Sequence, residues 1–303
     1  MNILVTGAWS DAQTYIDEFE AHGHHVLFMQ QEKEELPCDP SWIEGVICNG
    51  LFLHHDIHMF ANLRYIQLTS AGFDRVPMDA VKAGNIEIHN ARGVYSVPMA
   101  EHAVMGILEL YRKSDTCMRY QKEHIWKKER SLHEINGKEI LIIGCGSVGT
   151  ECARRLKAFN AYVRGIDLYL SASDVFDEVL PVESLDELLR TADIVILTVP
   201  LSEQTYHLID EQRLAEMKSD AILVNISRGK VVDQAALIHV LNDRKIGGAF
   251  LDVFEDEPLA EDSPLWNCEN TLLTPHISFI GDGNNERLWY CISVNLFKDD
   301  RYV

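Results

Sequence analysis

The stretch Ile140-Leu-Ile-Ile-Gly144-Cys-Gly146-Ser147-Val148-Gly149 decides how this chain is read. An apolar run stops at three glycines in G-x-G-x-x-G spacing, and a helical pattern begins at once with Val148. Each glycine answers a physical need. Gly144 permits a tight turn, Gly146 lets the backbone approach a pyrophosphate, and Gly149 lets strand and helix pack closely. The helix start then offers amide donors and the positive end of a dipole to phosphate. Asp167 lies 23 residues after Gly144, at the end of the next strand pattern, Tyr162–Ile166. An acid there accepts the ribose hydroxyls of NAD and repels the 2′-phosphate of NADP. Together these features predict an NAD(H) site built on Gly144, Gly146, Ser147, Val148, Gly149 and Asp167.

Outward from the glycine loop, short apolar runs alternate with helical patterns. Toward the C-terminus, strands are expected at 139–143, 162–166, 194–199, 221–226, 248–253 and 271–273. Helical patterns at 148–159, 185–191, 210–217 and 234–241 lie between them. Parallel strands need long crossovers, so this order predicts a doubly wound sheet. Toward the N-terminus a second, smaller series appears, with strands at 2–5, 25–29, 45–48, 65–68 and 86–89. A helix is expected over Met99–Tyr111, followed by a polar segment to Glu134 with Lys122, Lys127, Lys128 and Arg130. One more helix closes the chain near 284–297. The α/β organisation is therefore two units, residues 1–97 with 281–303 and residues 98–280.

Composition bounds what such a chain does. Its 303 residues exceed the size at which single cores stop growing, about 250–300 residues. Lys and Arg number 27 against 47 Asp and Glu, a net charge of −20. That sign repels phosphate backbones and anionic lipid, which argues against nucleic-acid and membrane partners. No apolar run approaches the ~20 residues of a membrane span, and the opening MNILVTG has the character of a strand, not a signal peptide. The seven cysteines are scattered with no C-x-x-C spacing, so a reducing cytoplasm is expected and a zinc ribbon is not.

In doubly wound sheets ligands gather at the carboxyl ends of strands. Beyond those ends stand Thr198-Val199-Pro200, Ser227-Arg228-Gly229, Asp252 with Phe254-Glu-Asp-Glu257, and Thr274-Pro275-His276. An Arg, a Glu and a His thus share one edge of one expected sheet. Reduction of a carbonyl by hydride needs a proton donor, and histidine is the usual choice near neutral pH. A carboxylate beside the imidazole orients it and favours its protonated form. An arginine grips a substrate carboxylate with two parallel hydrogen bonds and polarises the adjacent carbonyl.

These motifs resemble those of the D-isomer-specific 2-hydroxyacid dehydrogenase family. The likeness spans nearly the whole chain and rests on several stretches in the family's order. They are Thr69-Ser-Ala-Gly72-Phe-Asp74, Val97-Pro-Met-Ala-Glu101-His102, the glycine loop with Asp167, Asn225-Ile-Ser-Arg228-Gly229, Leu251-Asp252-Val-Phe-Glu-Asp-Glu257-Pro258 and Leu273-Thr-Pro-His276. The resemblance implies a Rossmann NAD domain inserted into a flavodoxin-like substrate domain, with the active site in the cleft between them. It implies Arg228, Glu257 and His276 as the catalytic set, His276 being the acid in reduction and the base in oxidation. It extends the cofactor contacts to Val199, Pro200, Thr205, Ile226, Ser227, Arg228, Asp252 and His276, with Asp252 on the nicotinamide side. Amides near Ala71 and Gly72 would bind the substrate carboxylate, and Tyr95 would line the substrate pocket with Arg228 and His276. A homodimer is implied, its arm formed by about residues 99–134.

Some features depart from that pattern. Ser147 stands where many relatives carry a basic residue beside the pyrophosphate, and the chain ends soon after its last helix, at Val303. Three other functions compete with a small 2-keto acid reductase. A non-enzymatic NAD(H) sensor has no need of the Arg228–Glu257–His276 set. Formate oxidation pairs its histidine with glutamine. Phosphoglycerate oxidation needs a cationic site for the phosphoester; none stands out, though Arg75 or Arg92 could supply one. Trp42, Leu51, Phe52, Phe73 and Tyr95 are expected to set the side-chain preference. No metal site is expected: His54, His55, Asp56 and His58 lack a fourth ligand at a recognisable spacing. His22, His24 and His25 read as solvated, and Cys145 as a packing residue.

Overall fold

Fully apolar strands such as Gly45–Cys48 and Ile194–Leu197 have no polar face to show water, so they form the centres of parallel sheets covered on both sides. The structure, a computed structural model, describes residues 1–169 and 174–298. The last five residues of the segment assigned above to the substrate domain lie outside that range. Chain contacts divide the molecule into two units, Met1–Tyr95 with Gly281–Val303, and Ser96–Ile280.

The first unit holds β1 (Asn2–Thr6), β2 (His25–Met29), β3 (Gly45–Cys48), β4 (Tyr65–Leu68) and β5 (Glu87–His89). All pair in parallel, in the order β2-β1-β3-β4-β5, which is the flavodoxin-like arrangement. Glu32 ties three strand ends together, its carboxylate accepting from Thr6 Oγ1 at 2.7 Å, Asn49 N at 2.7 Å and Gly50 N at 2.6 Å. The C-terminal helix Asn284–Phe297 belongs to this unit. It buries Leu288 and Ile292, and Trp289 stacks on Tyr15 at 4.4 Å between ring centroids.

The second unit carries β6 (Glu139–Ile143), β7 (Tyr162–Ile166), β8 (Glu178–Leu180), β9 (Ile194–Leu197), β10 (Ile222–Asn225), β11 (Gly248–Leu251) and β12 (Thr271–Leu273). The order β12-β11-β10-β9-β6-β7-β8 is wholly parallel and reverses between β6 and β9, as in a Rossmann sheet. Six strands were expected here and seven are present among the described residues. The extra one, β8, is a three-residue edge strand too short to leave a periodic signal. Strands β9, β10 and β11 end one or two residues earlier than expected; Thr198 N and Asp252 N make the last bonds to the neighbouring strands, to Ile143 O at 2.9 Å and Asn225 O at 3.0 Å, before the chain turns into loops.

The stretch expected to form an arm divides in two. Helix Ser96–Arg112 is a core element of the second unit, burying Ala100, Ala103, Ile107 and Tyr111 in the same cluster as β6, β9 and β10. Beyond Lys113 the chain is polar and largely exposed, with Met118, Ile125 and Trp126 facing outward. Among the described residues no helix is long and apolar enough to cross a membrane.

Candidate active site

Strand β6 delivers its carboxyl end directly to the glycine loop, and helix Ser147–Lys157 follows. Gly144 has φ 102° and its N–H donates to Ile166 O at 2.8 Å, which ties the loop to β7. At Gly149 a Cβ would sit 2.0 Å from Gly144 O, so only glycine lets the helix leave at this angle. Gly146 caps the helix without a side chain, which leaves the first-turn amides unsatisfied within the chain's own helix. Asp167, just past β7, accepts Cys145 N on Oδ2 at 2.7 Å and Tyr169 N on Oδ1 at 3.0 Å. An open anion-binding turn with a half-buried carboxylate at the neighbouring strand end fits a dinucleotide with two ribose hydroxyls. Cys145 is inert there: burial, then the nearby Asp167 charge, pushes its thiol up to about 12.

Parallel pairing brings the ends of β9, β10, β11 and β12 to the same edge. After β9, Thr198 Oγ1 donates to Gly144 O at 2.6 Å, bracing the glycine loop from beside Val199 and Pro200. Thr205 closes the next loop, donating to Pro200 O at 2.6 Å and accepting from Ser202 N at 2.7 Å. Following β10, buried Asn225 folds the chain back on itself. Its Oδ1 accepts Ser227 N and Ser227 Oγ at 3.1 and 2.8 Å, and its Nδ2 donates to Arg228 O at 3.0 Å. Ile226 and Ser227 are buried by this turn. Arg228 is exposed and donates to Ser227 O at 2.7 Å, with no ion pair among the described residues. Gly229 allows the loop after β11 to come close, since a Cβ there would lie 1.9 Å from the Phe254 carbonyl.

His276 and Glu257 meet. The imidazole Nδ1 lies 2.7 Å from Glu257 Oε2, while Oε1 accepts Phe254 N at 3.0 Å. The carboxylate is an acceptor only, so Nδ1 carries a proton and Nε2 points away from the pair. His276 sits at φ 53°, a left-handed conformation that costs a non-glycine residue free energy and persists only where surroundings enforce it. Phe279 packs edge-on against the imidazole at 5.9 Å.

Two of the expected site residues also brace loops. Asp252, expected on the nicotinamide side, has no solvent exposure, and both its side-chain oxygens hold the loop after β12. Tyr95 was read as lining the substrate pocket, and its hydroxyl donates to the Thr69 carbonyl. That contact braces the loop carrying Ala71 and Gly72, as does Asn90 Nδ2 donating to Ala71 O at 2.7 Å. Asn225, Thr274 and His102 shape the site without having been singled out for it. Each lies inside a quoted motif, but their partners are set by the fold.

With this geometry in place, the comparison with known proteins is direct. A family model described as "D-isomer specific 2-hydroxyacid dehydrogenase, NAD binding domain" matches residues 104–278. The chain belongs to that family. It is accordingly an NAD-dependent oxidoreductase of the 2-hydroxyacid dehydrogenase class. Its relatives include a protein named (S)-sulfolactate dehydrogenase from Chromohalobacter salexigens, 37% identical over 76% of this chain and 75% of that one. Another is named glyoxylate reductase, from Korarchaeum cryptofilum, 36% identical over 77% of this chain and 72% of the relative. Among solved structures, D-lactate dehydrogenase from Aquifex aeolicus, complexed with NAD and lactic acid, superposes with a TM-score of 0.81. It is 25% identical and the match covers all of this chain and 97% of that one.

Proposed function

We propose that this dehydrogenase interconverts a small 2-keto acid and its 2-hydroxy acid, with His276 as the proton donor in reduction and the acceptor in oxidation. The 2.7 Å contact between His276 Nδ1 and Glu257 Oε2 carries the reading. A carboxylate on Nδ1 orients the ring so that Nε2 is free to serve a substrate oxygen. NADH supplies the hydride when bound. In reduction a protonated His276 would give its Nε2 proton to the carbonyl oxygen and keep the proton on Nδ1 against Glu257; in oxidation the neutral Nε2 would take the proton of the hydroxyl. Arg228, with no ion pair among the described residues, binds the substrate carboxylate and polarises the carbonyl. Ala71 and Gly72 offer backbone amides to that carboxylate.

In this reading the Ser96–Ile280 unit is the cofactor domain and the Met1–Tyr95 unit the substrate domain. The helix amides at Ser147 and Val148 receive the pyrophosphate, Asp167 the adenosine ribose, and the turns at Val199–Pro200, Thr205 and Ile226–Ser227 the nicotinamide side. The assembly is a homodimer joined through the exposed segment after Lys113.

The test is NADH oxidation with glyoxylate, pyruvate, hydroxypyruvate and longer 2-keto acids. Acids with a second anionic group belong in the panel, because Arg75 follows Gly72 by three residues and Arg92 lies two residues after Asn90, whose side chain holds the Ala71 carbonyl. Turnover with at least one acid is expected, and His276→Ala should lower kcat on the order of 10²–10⁴-fold. NADH binding should survive, since the glycine loop and Asp167 are untouched. A His276→Ala enzyme with parental kcat would overturn the assignment.

A further inference from the structure

His102 projects from the core helix Ser96–Arg112 toward the ends of β11 and β12, its ring against Phe250 at 5.1 Å and 13% exposed. The Nε2 atom lies 3.0 Å from Thr274 Oγ1 and 3.5 Å from Asp252 Oδ1. Thr274 Oγ1 in turn lies 2.7 Å from Asp252 Oδ1. The protons in this chain have one arrangement. Asp252 is ionised: burial alone would raise its carboxyl, but hydrogen bonds from His102, Ser278, Thr274 and Ile277 outweigh burial and hold it at about 2. A carboxylate only accepts, so the single hydroxyl proton of Thr274 goes to Asp252. Thr274 is left with lone pairs alone toward His102, and Nε2 must therefore carry a proton and donate it.

Asp252 passes this order to the loop that bears His276. Oδ1 also accepts Ile277 N at 2.9 Å, Oδ2 accepts Ser278 N at 2.9 Å, and the Asp252 carbonyl accepts His276 N at 2.8 Å. Four of the five residues from Thr274 to Ser278 are thus gripped by one buried aspartate. This grip enforces the left-handed backbone at His276.

We propose that His102 and Thr274 are positioning residues for the reaction: their relay orients the Asp252 carboxylate, and the carboxylate sets the place of the His276 imidazole. The inference rests on His276 being the proton donor. Neither residue touches substrate. Losing the relay lets the loop drift, and a displacement of about 1 Å at a reacting group can cost on the order of 10²-fold in rate.

Three single variants of the enzyme and one double variant test this with the best keto acid of the panel, each alongside His276→Ala. Thr274→Val keeps the shape and removes the hydroxyl, Thr274→Ser keeps the hydroxyl, and His102→Leu removes the donor. Thr274→Val and His102→Leu should each lower kcat roughly tenfold or more. The KM for the keto acid and the Kd for NADH should stay within about twofold of the parent, because binding groups are intact. Thr274→Ser should restore most of kcat, which a packing role would not demand. The double variant His102→Leu/Thr274→Val should be no slower than the worse single one, since both break one relay. Parental kcat in Thr274→Val or His102→Leu would overturn the proposal, as would a Thr274→Ser enzyme as slow as Thr274→Val. Should Thr274→Val not fold, His102→Leu and Thr274→Ser carry the same decision. Loss of activity in His276→Ala with full activity in His102→Leu refutes the positioning role alone. Parental activity in His276→Ala refutes the underlying assignment.

Discussion

Asp167 and Asp252 are both aspartates one residue beyond a parallel strand, and their surroundings give them opposite work. Asp167 is half-buried beside an open turn. A 2′-phosphate near it would face a like charge, and two charges 4 Å apart at an effective dielectric of about 20 interact with roughly 4 kcal/mol. NADH should therefore exceed NADPH in kcat/KM by tenfold or more, and Asp167→Ser should narrow the gap. Equal efficiency with both cofactors in the parent enzyme would contradict the role of Asp167. Asp252 has no exposure and acts on the protein itself. Its folded value of about 2 lies below the unfolded value of roughly 3.9. The stability this confers is complete above about pH 4 and disappears as pH falls through the folded value. Asp252→Asn should be less stable at pH 7 by on the order of 2 kcal/mol, and the difference from the parent should shrink below pH 4. Denaturant unfolding across that range measures it; a pH-independent difference would show that charge is not involved.

At the scale of elements, the joint between β6 and helix Ser147–Lys157 leaves no room for a side chain at Gly149. The close approach of Gly149 to the Gly144 carbonyl is backbone against backbone, so no rotamer change can relieve an added methyl. Gly149→Ala should tilt the helix away, lower stability by about 1–3 kcal/mol and weaken NADH binding at least tenfold. Thermal unfolding and a fluorescence titration with NADH read both effects. An alanine enzyme that binds NADH normally would mean the helix start is not the phosphate site. The loops after β10 and β11 show the same economy, with Asn225 folding one turn while Gly229 admits the next.

For the whole molecule, the exposed segment after helix Ser96–Arg112 is the part that a lone chain leaves unexplained. Trp126 is 99% exposed, Met118 55% and Ile125 44%, in a chain whose charge is −20. Large apolar side chains left in water this way mark an interaction surface. A second copy covering them gives a particle of twice 34.4 kDa. Light scattering at micromolar concentration should find that mass, and Trp126→Glu should shift the population toward monomer. A monomeric parent would exclude the dimer.

The sequence by itself determined the strands, the glycine turn and the placement of Arg228, Glu257 and His276 beyond strand ends. Those are local matters: period-two or fully apolar runs, turn chemistry and spacing are written within a few residues of each other. It also determined that Asp167 ends the strand after the glycine loop. Only the tertiary structure decided that helix Ser96–Arg112 is core, because that depends on how its apolar face fits β10 and β11. The three-residue strand β8 exists only because β7 offers it an edge. Likewise the bonds by which Asp252 holds Thr274, Ile277 and Ser278 are set by the fold. His102 and Thr274 are 172 residues apart, and the hydrogen bonds they make through Asp252 arise from packing a helix against two strand ends. No periodicity encodes such a contact, so the bonds that hold the loop of His276 emerge from the fold, while the places of Arg228, Glu257 and His276 beyond strand ends were already visible in the chain.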